Sequence, residues 1–354
     1  MPPAAILPAS IVPASILIVR LGALGDIVHA APAAAALRAA YPNARIDWLV
    51  DVRHRHLLDF LQGLTTRVAV DTRAMRGSNG LPAVVRALRA ARYDVALDLQ
   101  GLLKSAVLAR LSGAGRVIGF SRGALRERAA HVFYTTSVDP GPARHVVDRG
   151  LALAAAAGAA PGVRHVPFTV PASTAPARVR RLLGLGDAES VVALNPGAAW
   201  PNKRWPAARF GALAAALYAR RGLRSIVLWG PGEEALAREA SDASQGAALP
   251  APQTTLDDLL AIVAEARLVV SGDTGPLHLA AAVEAPIVGI YGPTDPMRNG
   301  PWAPDDISVS RSAICPCFHR RQCHAERWCL LDVTVDEVVD AALRRLDIPW
   351  TPRR

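Results

Sequence analysis

The chain has 354 residues, is 51% apolar but only 5% aromatic, and carries a formal net charge of +10 at pH 7. That length suggests about two domains, and no apolar run approaches the roughly 18 residues that a membrane-crossing helix needs. The charge fits an anionic partner; without basic-aromatic interleaving or a recognisable binding module, nucleic acid is not expected to be that partner.

Arginine supplies almost all of the positive charge, and Lys104 and Lys203 are the only lysines. The two mark places that want a compact ammonium rather than a broad guanidinium. Residues 1–15 are apolar and proline-rich without a basic leading stretch. They read as a ragged extension rather than a cleaved signal peptide.

Residues 15–20, SILIVR, form a buried parallel strand by composition. The strand runs into the turn LGALGD at 21–26, then an alanine-rich helix to about residue 40, stopped by Tyr41, Pro42 and Asn43. Residues 45–50 are the next strand, ending at Asp51. This βαβ unit invites a dinucleotide reading with Asp51 on the ribose. The turn spells G-x-x-G, however, and the G-x-G-x-x-G fingerprint is not met.

Residues 67–71 and 93–99 read as strands on either side of an amphipathic helix at 81–92. Gln100 and Gly101 end the second strand, Lys104 lies one turn into the next helix, and residues 116–120 are a further strand. Ligands of open α/β sheets gather beyond the carboxyl ends of the strands. Asp26, His29, Gln100 and Lys104 all belong to that edge. Asp26 stands near a helix N-terminus, a favourable place for a carboxylate, and can accept the proton of an attacking hydroxyl. Helix capping is its structural alternative, and His29 is the rival base. Arg122, Arg126, Arg128, Arg144 and Arg149 follow, as a solvated surface or as a docking face for an anionic acceptor.

Residues 161–188 mix Pro, Thr and Ser with a short arginine-rich helix at 176–183, and the domain boundary is expected there. The α/β pattern then restarts. Strands are expected at 190–194, 225–229, 267–270 and 286–291, with helices at 207–221 and 255–264. A capping box, TVDE at 334–337, opens the last helix.

Three strand-end turns suit phosphate: 195–203, 230–233 and 272–275. At the third, Gly272 and Gly275 are expected to adopt backbone that a side chain would block. Thr274 is the expected N-cap and Pro276 suits the first turn, so free N–H groups point to where a phosphate would sit. Lys203 can neutralise a diphosphate, and Thr274 with the amides around Gly275 can hydrogen-bond it. Glu233 or Glu234 can accept from ribose hydroxyls. His278 either faces the same ligand or packs as a structural residue.

Cys315, Cys317, Cys323 and Cys329 are the only cysteines, with His319 and His324 among them. Their spacing, C-x-C-x5-C-x5-C, lacks the usual C-x2-C knuckle. Reduced thiols or a single disulfide are therefore expected ahead of structural zinc.

GALGDIVH at 22–29, NPG at 195–197, KRWP at 203–206, SGDTG at 271–275 with HLA at 278–280, and YGPTDP at 291–296 form a specific set. Together they resemble the bacterial ADP-heptose:lipopolysaccharide heptosyltransferases, in consistent order from about residue 16 to residue 346. The resemblance implies an α/β chain of the GT-B fold, two doubly wound Rossmann-like domains facing a central cleft. Residues 16–170 would bind the acceptor, 171–187 would link, and 188–346 would hold the nucleotide sugar, with the last helix packing back on the first domain.

It further implies inverting, metal-independent transfer of L-glycero-D-manno-heptose, without a cofactor. The donor would be ADP-heptose, and the acceptor the Kdo of the lipid A inner core. The N-terminal half more resembles the type that adds the first heptose. By matching motifs, Asp26 is the general base and Lys203 a diphosphate contact. Asn195, Gly197, Glu233, Asp273, Thr274, Gly275 and His278 belong to the donor site. His29, Gln100, Lys104 and Arg122 belong to the acceptor side. The implied place is cytoplasmic, held peripherally at the inner face of the inner membrane by basic surface. The competing readings are heptosyltransferase II or another acceptor within the family, and a GT-B nucleotide-sugar epimerase outside it.

Overall fold

Short runs of Val, Ile and Leu become the buried strands of two six-stranded parallel sheets. The computed structural model describes residues 12–76, 80–160, 168–323 and 325–350, so most of the expected N-terminal extension and His324 lie outside the described residues. Two units divide the chain between Pro167 and Phe168.

The first unit runs β1 (Ser15–Val19), α1 (Leu24–Ala40), β2 (Arg45–Asp51), β3 (Thr66–Val70), α2 (Gly80–Ala91), β4 (Val95–Asp98), α3 (Leu103–Leu111), β5 (Arg116–Phe120), β6 (Thr136–Val138) and α4 (Val146–Ala156). The second opens with α5 (Ala175–Leu182), β7 (Val191–Asn195), α6 (Ala207–Arg221), β8 (Arg224–Val227), α7 (Glu234–Asp242) and β9 (Ala248–Pro250). It continues through α8 (Leu256–Glu265), β10 (Leu268–Gly272), α9 (Gly275–Ala282), β11 (Ile287–Tyr291), α10 (Pro296–Asn299), β12 (Ile307–Ser310) and α11 (Val335–Asp347).

The first sheet has the order β3-β2-β1-β4-β5-β6, and the second repeats it as β9-β8-β7-β10-β11-β12. Each is the doubly wound Rossmann order, in which the first and fourth strands are neighbours. Ile18 of β1 lies opposite Leu97 of β4, and Leu194 of β7 lies opposite Val270 of β10. The connections leave these two pairs in opposite directions along the sheet, which opens a crevice beyond their carboxyl ends. That crevice is where the turns at 20–26 and 99–101 meet in one unit, and those at 195–203 and 272–275 in the other.

The expected linker at 171–187 is instead part of the second unit. Ala175 and Val179 of α5 are buried, Ser173 Oγ donates to Asp258 Oδ1 (2.6 Å), and Arg180 pairs with Glu265 of α8 (2.5 Å). The last helix, α11, packs on α6 and on β10 to β12 of its own unit. Its buried Val338, Val339, Ala341 and Ala342 join Leu213, Leu217 and Val270 in one core. Asp51 is a local structural acid rather than a ribose ligand. It caps the 3-10 turn Val52–Phe60, taking Arg53 Nε at 2.7 Å, and also accepts from the Thr72 hydroxyl. Burial pushes its carboxyl up, but the bonds from Arg53 and Thr72 win and hold it below the usual carboxylate range.

Candidate functional site

In the first unit, the crevice at the β1–β4 pair collects Asp26, Arg20 and Gln100. Asp26 is the third residue of α1, and its side chain is 42% exposed. The Ala23 amide donates to its Oδ2 (3.0 Å), and Arg20 Nη2 lies 2.7 Å from its Oδ1. Arg20 is in turn fixed by donating Nη1 to the Leu99 carbonyl (2.5 Å). Gln100 Oε1 accepts from the Leu21 amide (2.8 Å), which ties the two strand ends together.

Beneath them Asp98 is fully buried and accepts four hydrogen bonds: from the amides of Gln100 and Gly101, from Ser105 Oγ, and from the Tyr134 hydroxyl. Burial pushes its carboxyl up against those bonds. Asp98 therefore shapes the Gln100 turn from below. His54 reaches the turn at 20–26 from the 3-10 segment. A Cβ on Gly22 (φ +156°) would lie 2.7 Å from its ring, so that approach requires glycine. Arg20, His54 and Asp98 were not singled out in the sequence, because each takes at least one partner distant in the chain: Leu99, Gly22 and Tyr134, respectively.

The other acceptor-side residues do not join this group. His29 is buried on α1, edge-on to the His145 ring at 5.7 Å. Lys104 is exposed at the start of α3, and Arg122 is exposed after β5.

In the second unit, a cleft of about 250 Å³ opens at the β7–β10 pair. Asn195, Gly197, Glu233, Thr274 and Gly275 line it. Asn195 Nδ2 donates to Gly197 O (3.0 Å), Ser271 Oγ (3.0 Å) and Thr274 Oγ1 (3.1 Å), locking two of the turns to each other. Thr274 occupies the N-cap position of α9 but makes no side-chain capping bond. Its hydroxyl is taken by Asn195 and by Ser271 (3.2 Å), so capping by Thr274 is corrected.

Gly272 and Gly275 do not adopt the left-handed backbone expected of them. Gly272 is needed for space, because a Cβ there would sit 2.9 Å from the Lys203 carbonyl. Glu233 Oε2 accepts from the Gly230 amide (3.1 Å), and the carboxylate fills the space that a Cβ on Gly197 would need. Trp229, Thr254 and Leu259 add a wall that the motifs did not reveal. A lining that combines the start of α9 with an indole and a leucine suits a ligand with an anionic and an aromatic part.

Lys203, Asp273 and His278 form a buried network beside this lining. Lys203 Nζ lies 2.5 Å from Asp273 Oδ2 and donates to the Asp273 carbonyl (3.3 Å), with the Trp200 ring centroid 4.5 Å away. His278 Nε2 is 3.0 Å from Asp273 Oδ1, and Asn299 Nδ2 donates to the same oxygen (2.8 Å). His278 thus packs as the partner of Asp273. Burial pushes the Asp273 carboxyl up, but the hydrogen bond and charge of His278, then those of Lys203, hold it well below the usual carboxylate range.

A depressed folded value means that this stabilisation is present above the unfolded value of 3.8 and is lost as pH falls below it. Thermal unfolding should therefore show Asp273→Asn less stable than the unaltered chain near neutral pH. The gap is expected to narrow as pH drops through the carboxylate range. A constant gap would mean that the network contributes nothing through ionisation.

Around neither site, among the described residues, do three His, Cys, Asp or Glu side chains converge to hold a metal ion. Among the described residues, no helix is long and apolar enough to cross a membrane.

Comparison with known proteins places these features in a group. The family model described as glycosyltransferase family 9 (heptosyltransferase) matches residues 82–328. Lipopolysaccharide heptosyltransferase 1 of Pseudomonas aeruginosa is 29% identical over 324 residues, covering 86% of each chain. Among solved structures, a family 9 glycosyl transferase from Veillonella parvula superposes with a TM-score of 0.78 at 23% identity, covering 94% of this chain and 97% of that one. An Escherichia coli heptosyltransferase with ADP gives 0.69 at 25% identity, covering 94% of this chain and all of the other.

Proposed function

Because the chain belongs to glycosyltransferase family 9, we propose that it moves L-glycero-D-manno-heptose from ADP-heptose to the Kdo of the lipopolysaccharide inner core, with inversion. Membership of a transferase family sets the epimerase alternative aside. The observation that carries the reading is the cleft at the β7–β10 pair, where the start of α9 and an apolar wall suit an adenosine diphosphate. The relative solved with ADP supports the same donor.

In this reading an acceptor hydroxyl gives its proton to the Asp26 carboxylate as its oxygen attacks the anomeric carbon. The bond to the diphosphate breaks on the opposite face, and ADP leaves. Lys203 and the first amides of α9 stabilise the charge that gathers on the leaving diphosphate. Arg20 holds Asp26 by one oxygen and the Ala23 amide by the other, so the carboxylate is pre-aimed. Arg20→Met is expected to lower kcat about ten- to hundredfold with little change in KM for ADP-heptose. Arg20→Lys should recover most of the loss. Equal losses in both variants would remove the orienting role.

The acceptor is lipid-linked, and Lys104, Arg122, Arg126 and Arg128 are exposed together with Leu103 and Val132. This supports a peripheral contact with an anionic bilayer, and a cytoplasmic place at its inner face. Co-sedimentation with anionic vesicles should occur at low salt and disappear at high salt. Binding to neutral vesicles alone would oppose the idea.

The deciding experiment is mass spectrometry of the acceptor after incubation with ADP-heptose. A heptose-sized gain on Kdo-bearing lipid A supports transfer of the first heptose. A gain only on an acceptor that already carries heptose would move the assignment to heptosyltransferase II. No gain on either, with ADP-heptose still bound, would overturn the acceptor; no donor binding would overturn the whole reading.

A further inference from the structure

Among its described residues, the connection from β12 to α11 contains only two short 3-10 turns, Ser312–Ile314 and Cys329–Asp332. A connection of that length without regular structure needs something internal to hold it. Leu330 and Val333 anchor its far end in the main core, but earlier in the connection the large apolar side chains supply nothing: Ile314 is 65% exposed and Phe318 46%. What it buries instead is sulfur. Cys315, Cys317 and Cys329 are each under one-tenth exposed and form a cluster with Cys323 and Ala325. Cys317 and Cys323 are joined as a disulfide, with Cα atoms 5.2 Å apart. Cys315 and Cys329 remain thiols, both buried in that cluster. All four cysteines of the chain thus meet in one small core.

We propose that Cys315, Cys317, Cys323 and Cys329 are a structural tetrathiolate site for one thiophilic divalent cation of the zinc or ferrous class, and that the disulfide is the oxidised, metal-free form of that site. With the disulfide closed, the cluster offers no metal site. Opening it takes two electrons and two protons from a dithiol reductant, which becomes a disulfide itself. Four thiols result. Binding of the cation then forms four metal–sulfur bonds and releases four protons to solvent.

Tetrahedral bonds of about 2.3 Å ask for sulfurs about 3.8 Å apart. Thiols packed in one buried cluster lie in the range where side-chain rotation can reach that spacing, and the 5.2 Å Cα separation leaves Cys317 and Cys323 able to swing to it. The resulting centre carries a net charge of −2. The segment around it holds Arg311, Arg320, Arg321 and Arg327 against two acids, Glu326 and Asp332, a net positive balance that suits an anionic centre. A sulfur–metal knot is also the usual substitute where a small segment lacks an apolar core.

The position of the site explains what it would hold. Asn202, buried beside Lys203, donates to the Arg320 carbonyl (2.9 Å), and the Arg321 guanidinium lies 5.7 Å from the Trp200 ring centroid. Gly292, after β11, faces Cys329, whose sulfur would be 3.2 Å from a Cβ there. The sulfur core therefore backs the turn that carries Lys203. It touches neither donor nor acceptor, so the inference is independent of the proposed transfer reaction.

The test uses the full chain, prepared without oxygen in a dithiol reductant from cells grown with zinc or with iron. Elemental analysis is expected to find about one metal ion per chain, and about a fifth of that or less in Cys323→Ser and Cys329→Ser. Whichever of zinc or iron is retained identifies the ion. If the variants fail to fold, the unaltered chain still decides. Reconstituted with cobalt(II), it should show a thiolate-to-cobalt charge-transfer band and the intense visible bands of a tetrahedral ion. A reduced chain with four alkylatable thiols and no retained metal would overturn the proposal. So would weak, octahedral-type cobalt bands, or full metal content in folded serine variants.

Discussion

Lys203→Ala is expected to lower turnover by about two to three powers of ten, the scale of losing one preorganised group that stabilises developing charge. The ammonium sits on the 3-10 turn Pro201–Lys203, its side chain only 15% exposed. Two of its three donor directions go to Asp273, and in the proposed reading the third meets the leaving diphosphate. The variant also strands Asp273, whose carboxylate keeps only His278 and Asn299. Breaking a buried pair from one side costs about 3–5 kcal/mol, so a fall in Tm should accompany the fall in rate.

Lys203→Met combined with Asp273→Asn separates the two effects, since it removes the charge without leaving an unpaired carboxylate. Stability should recover in part in the double variant, up to the level of Asp273→Asn, while turnover stays low. Turnover returning together with stability would make Lys203 a support of the turn and nothing more. Lys203→Arg should not rescue, because a broad planar guanidinium does not reproduce the compact ammonium held 2.5 Å from Asp273 Oδ2 and 3.3 Å from the Asp273 carbonyl.

Asp26→Asn should be the other large effect. It keeps the shape of the side chain and the contact with the Ala23 amide, and removes the charge that accepts the proton. Loss of a general base costs about two to four powers of ten in rate. Donor affinity should be nearly unchanged, because the cleft that suits the nucleotide is built from residues of the other unit. Single-turnover transfer and ADP binding, measured side by side, check both halves. Retained transfer would point to a different base. His29 is poorly suited to that role, being buried against His145. Lost ADP binding would show that Asp26 shapes more than the proton transfer.

The difference between these two sites shows what a linear reading can reach. Most of the strands were legible because a strand buried on both faces reads as a continuous apolar run, as at ILIV in β1 and LVV in β10. The glycine turns that end them were legible as breaks in that pattern. The edge strands β6, β9 and β12 were not, because three or four partly polar residues carry no period. The helix α5 looked like part of a linker because its buried stripe of Ala175 and Val179 is too small to stand out without α8 across from it.

The sequence by itself determined that there are two α/β halves, that each carries glycine turns at its strand ends, and that Asp26, Asn195, Lys203 and Thr274 stand on those turns. Which of those groups face one another was decided only by the tertiary structure. Lys203 meets Asp273 across 70 positions of chain, and Asn195 meets Thr274 across 79, because the strand order lays β7 beside β10. Arg20 reaches Asp26 and the Leu99 carbonyl because β1 lies beside β4. A polar side chain near a buried turn takes whatever partner lies within hydrogen-bonding distance, and that distance is set by which strands are neighbours in the sheet, a long-range property that no local stretch of sequence contains.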